Sequence, residues 1–156
     1  TNALGQVVGI NSAIASNSGG SIGLGFSIPI NRAKKVVSDI LKYGRVKYGW
    51  LGVNFYEGRV SLKDPYVQSQ IASEVGATPP SQGLIVSRVN PASGASKAGL
   101  KPFDIIQKAD GVVLNEGLDF NRLMVDKKPG DQLKLVVWSA GTTKTITVTL
   151  EDLTGL

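Results

Sequence analysis

The chain has 156 residues, 17 Lys and Arg against 12 Asp and Glu, a net charge of +5, no Cys and no His. Without an imidazole there is no base to activate a serine or cysteine, so triad chemistry and His-ligated metal sites are excluded for this chain, and the lack of thiols excludes disulfides and thiolate metal sites. No apolar run approaches the roughly 18 residues that span a bilayer, and 42% apolar content with 19 glycines fits a strand-rich domain plus an appendage.

The charge is unevenly placed. Residues 1–48 carry Arg32, Lys34, Lys35, Lys42, Arg45 and Lys47 against the single acid Asp39, whereas acids and bases balance over residues 49–156. An anionic surface or nucleic acid would suit the basic part. No aromatic side chains are interleaved with these charges as a single-strand platform needs, so a solvated helix face accounts for them and no nucleic-acid partner is expected.

In chain order, Gly5-Gln6-Val7-Val8-Gly9-Ile10-Asn11 reads as a strand, Asn17-Ser18-Gly19-Gly20 as a turn, and residues 24–28 as a second strand ending at Pro29. Two strands without further partners bury no core, so the pair reads as the remnant of a larger sheet. A helix follows. Asn31 is its expected N-cap, Ala33, Val36, Val37, Ile40 and Leu41 form one apolar stripe, and Gly44 is a suitable C′ residue.

Residues 50–56 read as a strand. Asp64-Pro65 opens a helix to about Val75 that stops at Gly76, and residues 78–81 form an extended loop. Residues 83–89 are a strand, and residues 105–108 and 112–114 a short hairpin around Asp110-Gly111. Residues 118–125 are a helix with Phe120, Leu123 and Met124 on its inner side. Residues 132–139 and 142–150 make a hairpin across Ala140-Gly141, with Thr143, Thr145, Thr147 and Thr149 facing outward in period two.

Two short motifs mislead. Asn17-Ser18-Gly19-Gly20 looks like the surroundings of a trypsin-like nucleophile, but Ser16 stands where a glycine is needed and nothing in the chain activates Ser18. Gly23-Leu24-Gly25-Phe26 matches the four-residue carboxylate loop of many PDZ domains. Its continuation Ser27-Ile28-Pro29 puts a proline where a peptide would have to pair.

The larger pattern is more specific. Gly19-Gly20-Ser21-Ile22-Gly23-Leu24-Gly25-Phe26-Ser27-Ile28-Pro29, the amphipathic helix, Tyr48-Gly49-Trp50-Leu51-Gly52-Val53, residues 83–89, Pro91, residues 98–102, residues 104–106, Asn115 and Lys128-Pro129-Gly130-Asp131 occur in family order. Over essentially all of residues 1–156 the chain resembles the C-terminal part of an HtrA/Deg-family, trypsin-like serine protease. The resemblance implies an α+β, mostly β fold: a PDZ-type partly open β-barrel or sandwich with two helices, preceded by a remnant of a trypsin-like β-barrel and a linker helix. It divides the chain into protease strands over residues 1–30, a linker helix over 31–47 and a PDZ domain over 48–153. The nucleophile motif would lie just upstream of Thr1, and Asn17, Gly19, Gly20, Ile22 and Gly23 would belong to the loop beside the protease specificity pocket. With the barrel missing, the apolar faces of residues 1–45 are expected to be mobile or to pack on another chain.

By the same resemblance, Trp50, Leu51, Gly52 and Val53 form the peptide-carboxylate loop. A terminal carboxylate needs several converging donors, which successive backbone N–H groups in a tight turn supply. Gly52 would let the backbone approach, Leu51 and Val53 would wall a pocket for the last side chain, and residues 53–56 would pair with the peptide. Phe55, Leu123 and Met124 would line the groove. Trp50 suits either a groove or a domain-junction anchor, and Lys47 or Arg45 either the carboxylate's surroundings or plain surface.

The implied function is a peptide-binding module that captures substrate or regulates an endopeptidase in protein quality control, inactive as this chain alone. The implied partners are polypeptide C-termini or unfolded segments, with a trimer-based homo-oligomer for the parent and no cofactor or metal. The implied compartment is the cell envelope or periplasm, or an organelle. The alternative is a non-catalytic scaffold or oligomerisation module with an unused or occluded groove.

Two departures from the family pattern stand out. Phe103 occupies a turn position usually held by glycine, so the turn is expected to be rebuilt and the ring exposed as an interface contact. Ser93-Gly94-Ala95 replaces Ser-Pro-Ala, which is expected to loosen that turn.

Overall fold

A computed structural model describes residues 1–14, 25–56 and 60–153, and the chain divides into two units, Thr1–Val46 and Lys47–Leu156. The expected turn at Asn17-Ser18-Gly19-Gly20, the specificity-loop residues Asn17, Gly19, Gly20, Ile22 and Gly23, and the first half of Gly23-Leu24-Gly25-Phe26 lie outside the described residues.

The first unit is an antiparallel pair, β1 (Gly9–Ile14) and β2 (Gly25–Pro29), followed by α1 (Ile30–Tyr43). The first strand starts later than expected because Asn2 folds the chain back, its Oδ1 accepting from the N–H groups of Leu4 and Gln6, both at 3.0 Å. Pro29, not Asn31, is the N-cap of α1: the Ile30 N–H donates to the Val8 carbonyl at 3.0 Å, so the helix springs directly from the sheet. Gly44 is the C-cap, as its position suggests. Every residue of β2 is exposed, and Phe26 and Leu41 are 62% and 83% exposed. A groove of ≈ 590 Å³ opens between β1 and α1, lined by Ile10, Ile30, Ala33, Val37 and Leu41 among others. Among the described residues, two strands and one helix leave this apolar surface uncovered within their own unit.

The second unit is mostly β. It runs β3 (Gly49–Trp50), β4 (Val53–Phe55), α2 (Pro65–Val75), β5 (Leu84–Val89), α3 (Gly94–Lys97), β6 (Ile105–Ala109), β7 (Val112–Val113), α4 (Gly117–Met124), β8 (Gln132–Ser139), β9 (Thr142–Thr149) and β10 (Glu151–Asp152). The main sheet has the order β4-β5-β6-β8-β9 with β7 beside β6, β3 pairs with β10, and the sheets do not close into a barrel. Besides the two expected helices there is the single turn α3, capped by Ser93, whose Oγ accepts from the Ser96 N–H at 3.2 Å.

Alternation along the central strands gives the sheet two buried faces. Leu84, Val86, Ile106 and Val137 join Leu51, Leu100, Leu114, Phe120, Leu133, Leu135, Val148 and Leu150 in the larger cluster. Ile85, Ile105 and Trp138, opposed across β5, β6 and β8, meet Leu62 and Ile71 on the other face. Each such side chain contributes about 1.5–3 kcal/mol on burial. Helix α2 covers the second face, with Asp64 accepting from the Tyr66 N–H at 2.9 Å, Pro65 in its first turn and Gly76 as C-cap. Thr143, Thr145, Thr147 and Thr149 are exposed, as their period requires.

The two departures have local explanations. Phe103 keeps a left-handed backbone (φ 67) and the turn is retained, with its N–H donating to Val86 at 2.8 Å. Its ring is half-buried against the second cluster and stacks on Tyr56 at 6.2 Å, which corrects the expectation of a rebuilt turn with an exposed ring. Gly94 and Ala95 are buried, and a Cβ at Gly94 would overlap the Thr149 carbonyl of β9. The glycine therefore allows close packing of α3 on β9, and the turn is not loosened.

Asp110, in the β6–β7 turn, fixes the loop after α4. Its carboxylate accepts from Lys127 Nζ at 2.6 Å and from the Lys134 N–H at 2.8 Å. The Lys127 hydrogen bond, with the Lys134 N–H and the lysine charge, holds this carboxyl below its ordinary value against a smaller opposing effect of desolvation. A lowered folded-state value means stability that is fully present above the unfolded-chain value and lost as pH falls through the folded one. The stability gap between wild type and Asp110→Asn is therefore expected to shrink toward zero as denaturation is repeated from pH 6 down to pH 2.5. A gap independent of pH would contradict the ionic role.

Candidate functional site

The strand expected over residues 50–56 is two strands in different sheets, broken at Leu51-Gly52. Both carbonyls at the break turn inward. That of Leu51 accepts from the Ala95 N–H at 3.1 Å, and that of Gly52 from the Asn90 N–H at 2.8 Å, with Asn90 Nδ2 and Ser93 Oγ at 3.3 and 3.4 Å. Gly52 takes φ +88 to make this turn. Among the described residues, no backbone hydrogen bond of this loop uses the N–H of Leu51 or Gly52. The Leu51 side chain is 2% exposed and sits in the larger cluster rather than on an open wall.

Beyond the break, β4 lies at the edge of the main sheet, with β5 on one side. The bond from Asn90 N–H to Gly52 C=O brackets the Val53–Val89 pair. Opposed residues of an antiparallel ladder alternate between bonded and non-bonded pairs, so Val53 directs its own N–H and C=O away from β5, toward the open edge. A strand with one unpaired edge is a template for a further strand.

Several side chains of this part of the domain share one cluster. Phe55 meets Phe120 of α4 edge-on, ring centroids 5.1 Å apart, and Val53, Leu123 and Met124 are half-buried against the same cluster. Trp50 is half-buried and pairs through its backbone with Glu151. Both parts of the site share one framework: the Gly49 N–H donates to Lys127 C=O at 3.1 Å, tying β3 to the loop after α4 that Asp110 also holds. At the other end of α4, Asp119 Oδ2 accepts from the N–H groups of Asn115 and Glu116 at 3.0 and 3.2 Å. These backbone donors hold its carboxyl below the ordinary value.

A second feature had no counterpart in the sequence reading. Past Phe55, a cavity of ≈ 790 Å³ opens between the end of β4, residues 60–63, residues 81–85 and the start of α4. These four segments are remote in sequence and meet only through the fold, so no local spacing marks them. Among the described residues no group of His, Cys, Asp and Glu is arranged to hold a metal, and no helix is long and apolar enough to cross a membrane.

Comparison with known proteins agrees with this architecture. Residues 49–150 match the PDZ domain family. The chain is 36% identical over 146 residues to a probable periplasmic serine endoprotease DegP-like of Brucella suis biovar 1 (strain 1330), covering 94% of this chain and 26% of that protein. It is 33% identical over 150 residues to the periplasmic pH-dependent serine endoprotease DegQ of Escherichia coli (strain K12), covering 96% of this chain and 31% of that protein. The chain thus spans between a quarter and a third of these relatives. Its fold is similar to that of the HtrA-type protease AlgW solved with a decapeptide, with a TM-score of 0.69, 31% identity, and coverage of 95% of this chain and 42% of that one. The chain belongs to the PDZ domain family and, over 94% of its length, is a homologue of the DegP, DegQ and AlgW group of HtrA-type serine endoproteases.

Proposed function

We propose that the domain binds polypeptide C-termini, with the N–H groups of Leu51, Gly52 and Val53 around the terminal carboxylate and the peptide added to β4 as a further strand. The observation that carries this reading is the outer edge of β4, unpaired among the described residues, next to a turn whose carbonyls are engaged inward. Such a turn leaves its donors for an anion, and the neighbouring edge supplies main-chain affinity while side chains are read by the groove. Val53, Phe55, Leu123 and Met124 provide the apolar walls. The AlgW structures with a decapeptide and with a tripeptide make peptide the natural ligand class to test.

In the parent, residues 1–30 are the last strands of the protease barrel, residues 31–47 the linker helix and residues 48–153 the PDZ domain. The remainder of that barrel covers the exposed face that carries Phe26 and Leu41. The parent is an extracytoplasmic, periplasmic endopeptidase of trimer-based assembly, and the PDZ domain captures substrates or switches the protease. The scaffold alternative is weakened at one of its two supports, because the Phe103 ring is half-buried against the second cluster. The test is a titration with paired peptides that differ only in a terminal carboxylate or carboxamide, the acid being expected to bind more tightly.

A further inference from the structure

Resting on the reading of Leu51, Gly52 and Val53 as a carboxylate loop, we infer that Lys127, anchored by Asp110, is a positioning residue for that loop. It sets the spacing between the loop's backbone donors and the α4 wall of the groove, and through that spacing the affinity for a terminal carboxylate.

Both walls meet at this one residue. The Lys127 N–H donates to the Met124 C=O at 3.1 Å, at the end of α4, and the Lys127 C=O accepts from the Gly49 N–H of β3 at 3.1 Å. The backbones on the β3 side are in contact, since a Cβ on Gly49 would lie 2.9 Å from the Lys128 carbonyl oxygen. A junction packed this closely passes a displacement on rather than absorbing it. The loop itself hangs between two anchors. On its far side the Leu51 and Gly52 carbonyls are held by the N–H groups of Ala95 and Asn90 at 3.1 and 2.8 Å. On its near side the supports are the Gly49–Lys127 bond and the short pairing of β3 with β10. The donors lie between these anchors, so the place of Lys127 sets their aim.

The Lys127 side chain fixes that place. The residue lies outside any helix or strand, and its Nζ reaches Asp110 Oδ2 at 2.6 Å, in the β6–β7 turn. The two side chains are 22% and 31% exposed, so the pair is less screened than one on the open surface. Asp110 is tied to β8 in turn: its N–H donates to the Lys134 C=O and its Oδ1 accepts from the Lys134 N–H, both at 2.8 Å. The anchor is therefore part of the main sheet.

The test titrates one apolar-ended peptide, as free acid and as amide, into the full chain at pH 7, at a temperature where circular dichroism shows each variant folded. Asp110→Asn keeps an acceptor for the Lys134 N–H but removes the charge. Lys127→Met keeps the backbone bonds but removes the ammonium. Each is expected to lower the acid-over-amide preference at least threefold. The double variant should lie within twofold of the singles, because the two residues act as one unit, and Lys127→Arg within twofold of wild type. Sign separates positioning from bare charge: through the field alone, loss of the Asp110 charge would strengthen binding of an anion, whereas positioning predicts a loss. Ile71→Val, in the cluster on the other face of the sheet, lowers stability and should leave the preference unchanged. A preference retained in both single variants, opposite signs for the two, or an equal loss in Ile71→Val overturns the positioning role and leaves the carboxylate loop standing. No acid preference in the wild type overturns the carboxylate reading, and the positioning role with it.

Discussion

Gly52→Val is expected to destabilise the PDZ domain by about 2–5 kcal/mol, a large fraction of the stability of a domain this size. Two costs combine. A β-branched residue at φ +88 is strained by roughly 1–2 kcal/mol. A Cβ at this position would also overlap Ser93 Cβ and Oγ, and forcing atoms into a packed site costs about 1–3 kcal/mol. Ser93 cannot simply yield, because it is 1% exposed and its Oγ donates to Asn90 C=O at 2.7 Å while capping α3. Urea denaturation measures the effect. A change below about 1 kcal/mol would mean that the turn relaxes freely and that Gly52 is not held by the 90–95 segment. Destabilisation of the expected size warns against reading a binding defect of this variant as loss of a ligand contact.

The second large effect concerns Phe103, where backbone and side chain pull in opposite directions. Phe103→Ala removes a half-buried ring from Tyr56 and the second cluster but keeps the left-handed φ of 67. A fully buried Phe→Ala change costs about 3–5 kcal/mol, so about 2 kcal/mol is expected at half burial. Phe103→Gly loses slightly more contact yet relieves roughly 1–2 kcal/mol of backbone strain. The glycine variant is therefore expected to be about 1 kcal/mol more stable than the alanine variant, despite being the greater truncation. Denaturation of both variants under one set of conditions decides it. The reverse order would show that the turn carries no strain and that packing alone sets the stability of this site.

Much of the fold was legible because its signals are local. Asp64, Pro65 and Gly76 mark the two ends of α2 through a side-chain cap, a fixed φ and a left-handed C-cap. Asp110-Gly111 and Ala140-Gly141 mark two-residue hairpins because both residues of each pair take positive φ. What escaped the reading depends on distant partners. The break between β3 and β4 is made by hydrogen bonds to residues 90–95, with Ser93 lying 41 positions from Gly52. Gly94 is explained by Thr149 on another strand, and Pro29 caps α1 because Ile30 bonds to Val8 across the small sheet.

The candidate site divides in the same way. The proposed loop and groove residues rest on the order of motifs along the chain, and Phe55, Phe120, Leu123 and Met124 gather on one cluster as helix and strand periods require. The burial of the Leu51 side chain is not legible in the sequence, because an apolar residue beside a turn carries no mark of which side it faces. The cavity past Phe55 was invisible because its four wall segments share no spacing.

The most direct measurement is a calorimetric titration of the chain with one apolar-ended peptide as the free acid and as the amide. Hydrogen bonds to a charged group are worth about 1.5–3 kcal/mol, and 1.4 kcal/mol is tenfold in affinity. The acid is therefore expected to bind between about tenfold and a hundredfold more tightly. Equal affinity of the two forms, or binding of neither, would contradict a carboxylate held at Leu51, Gly52 and Val53.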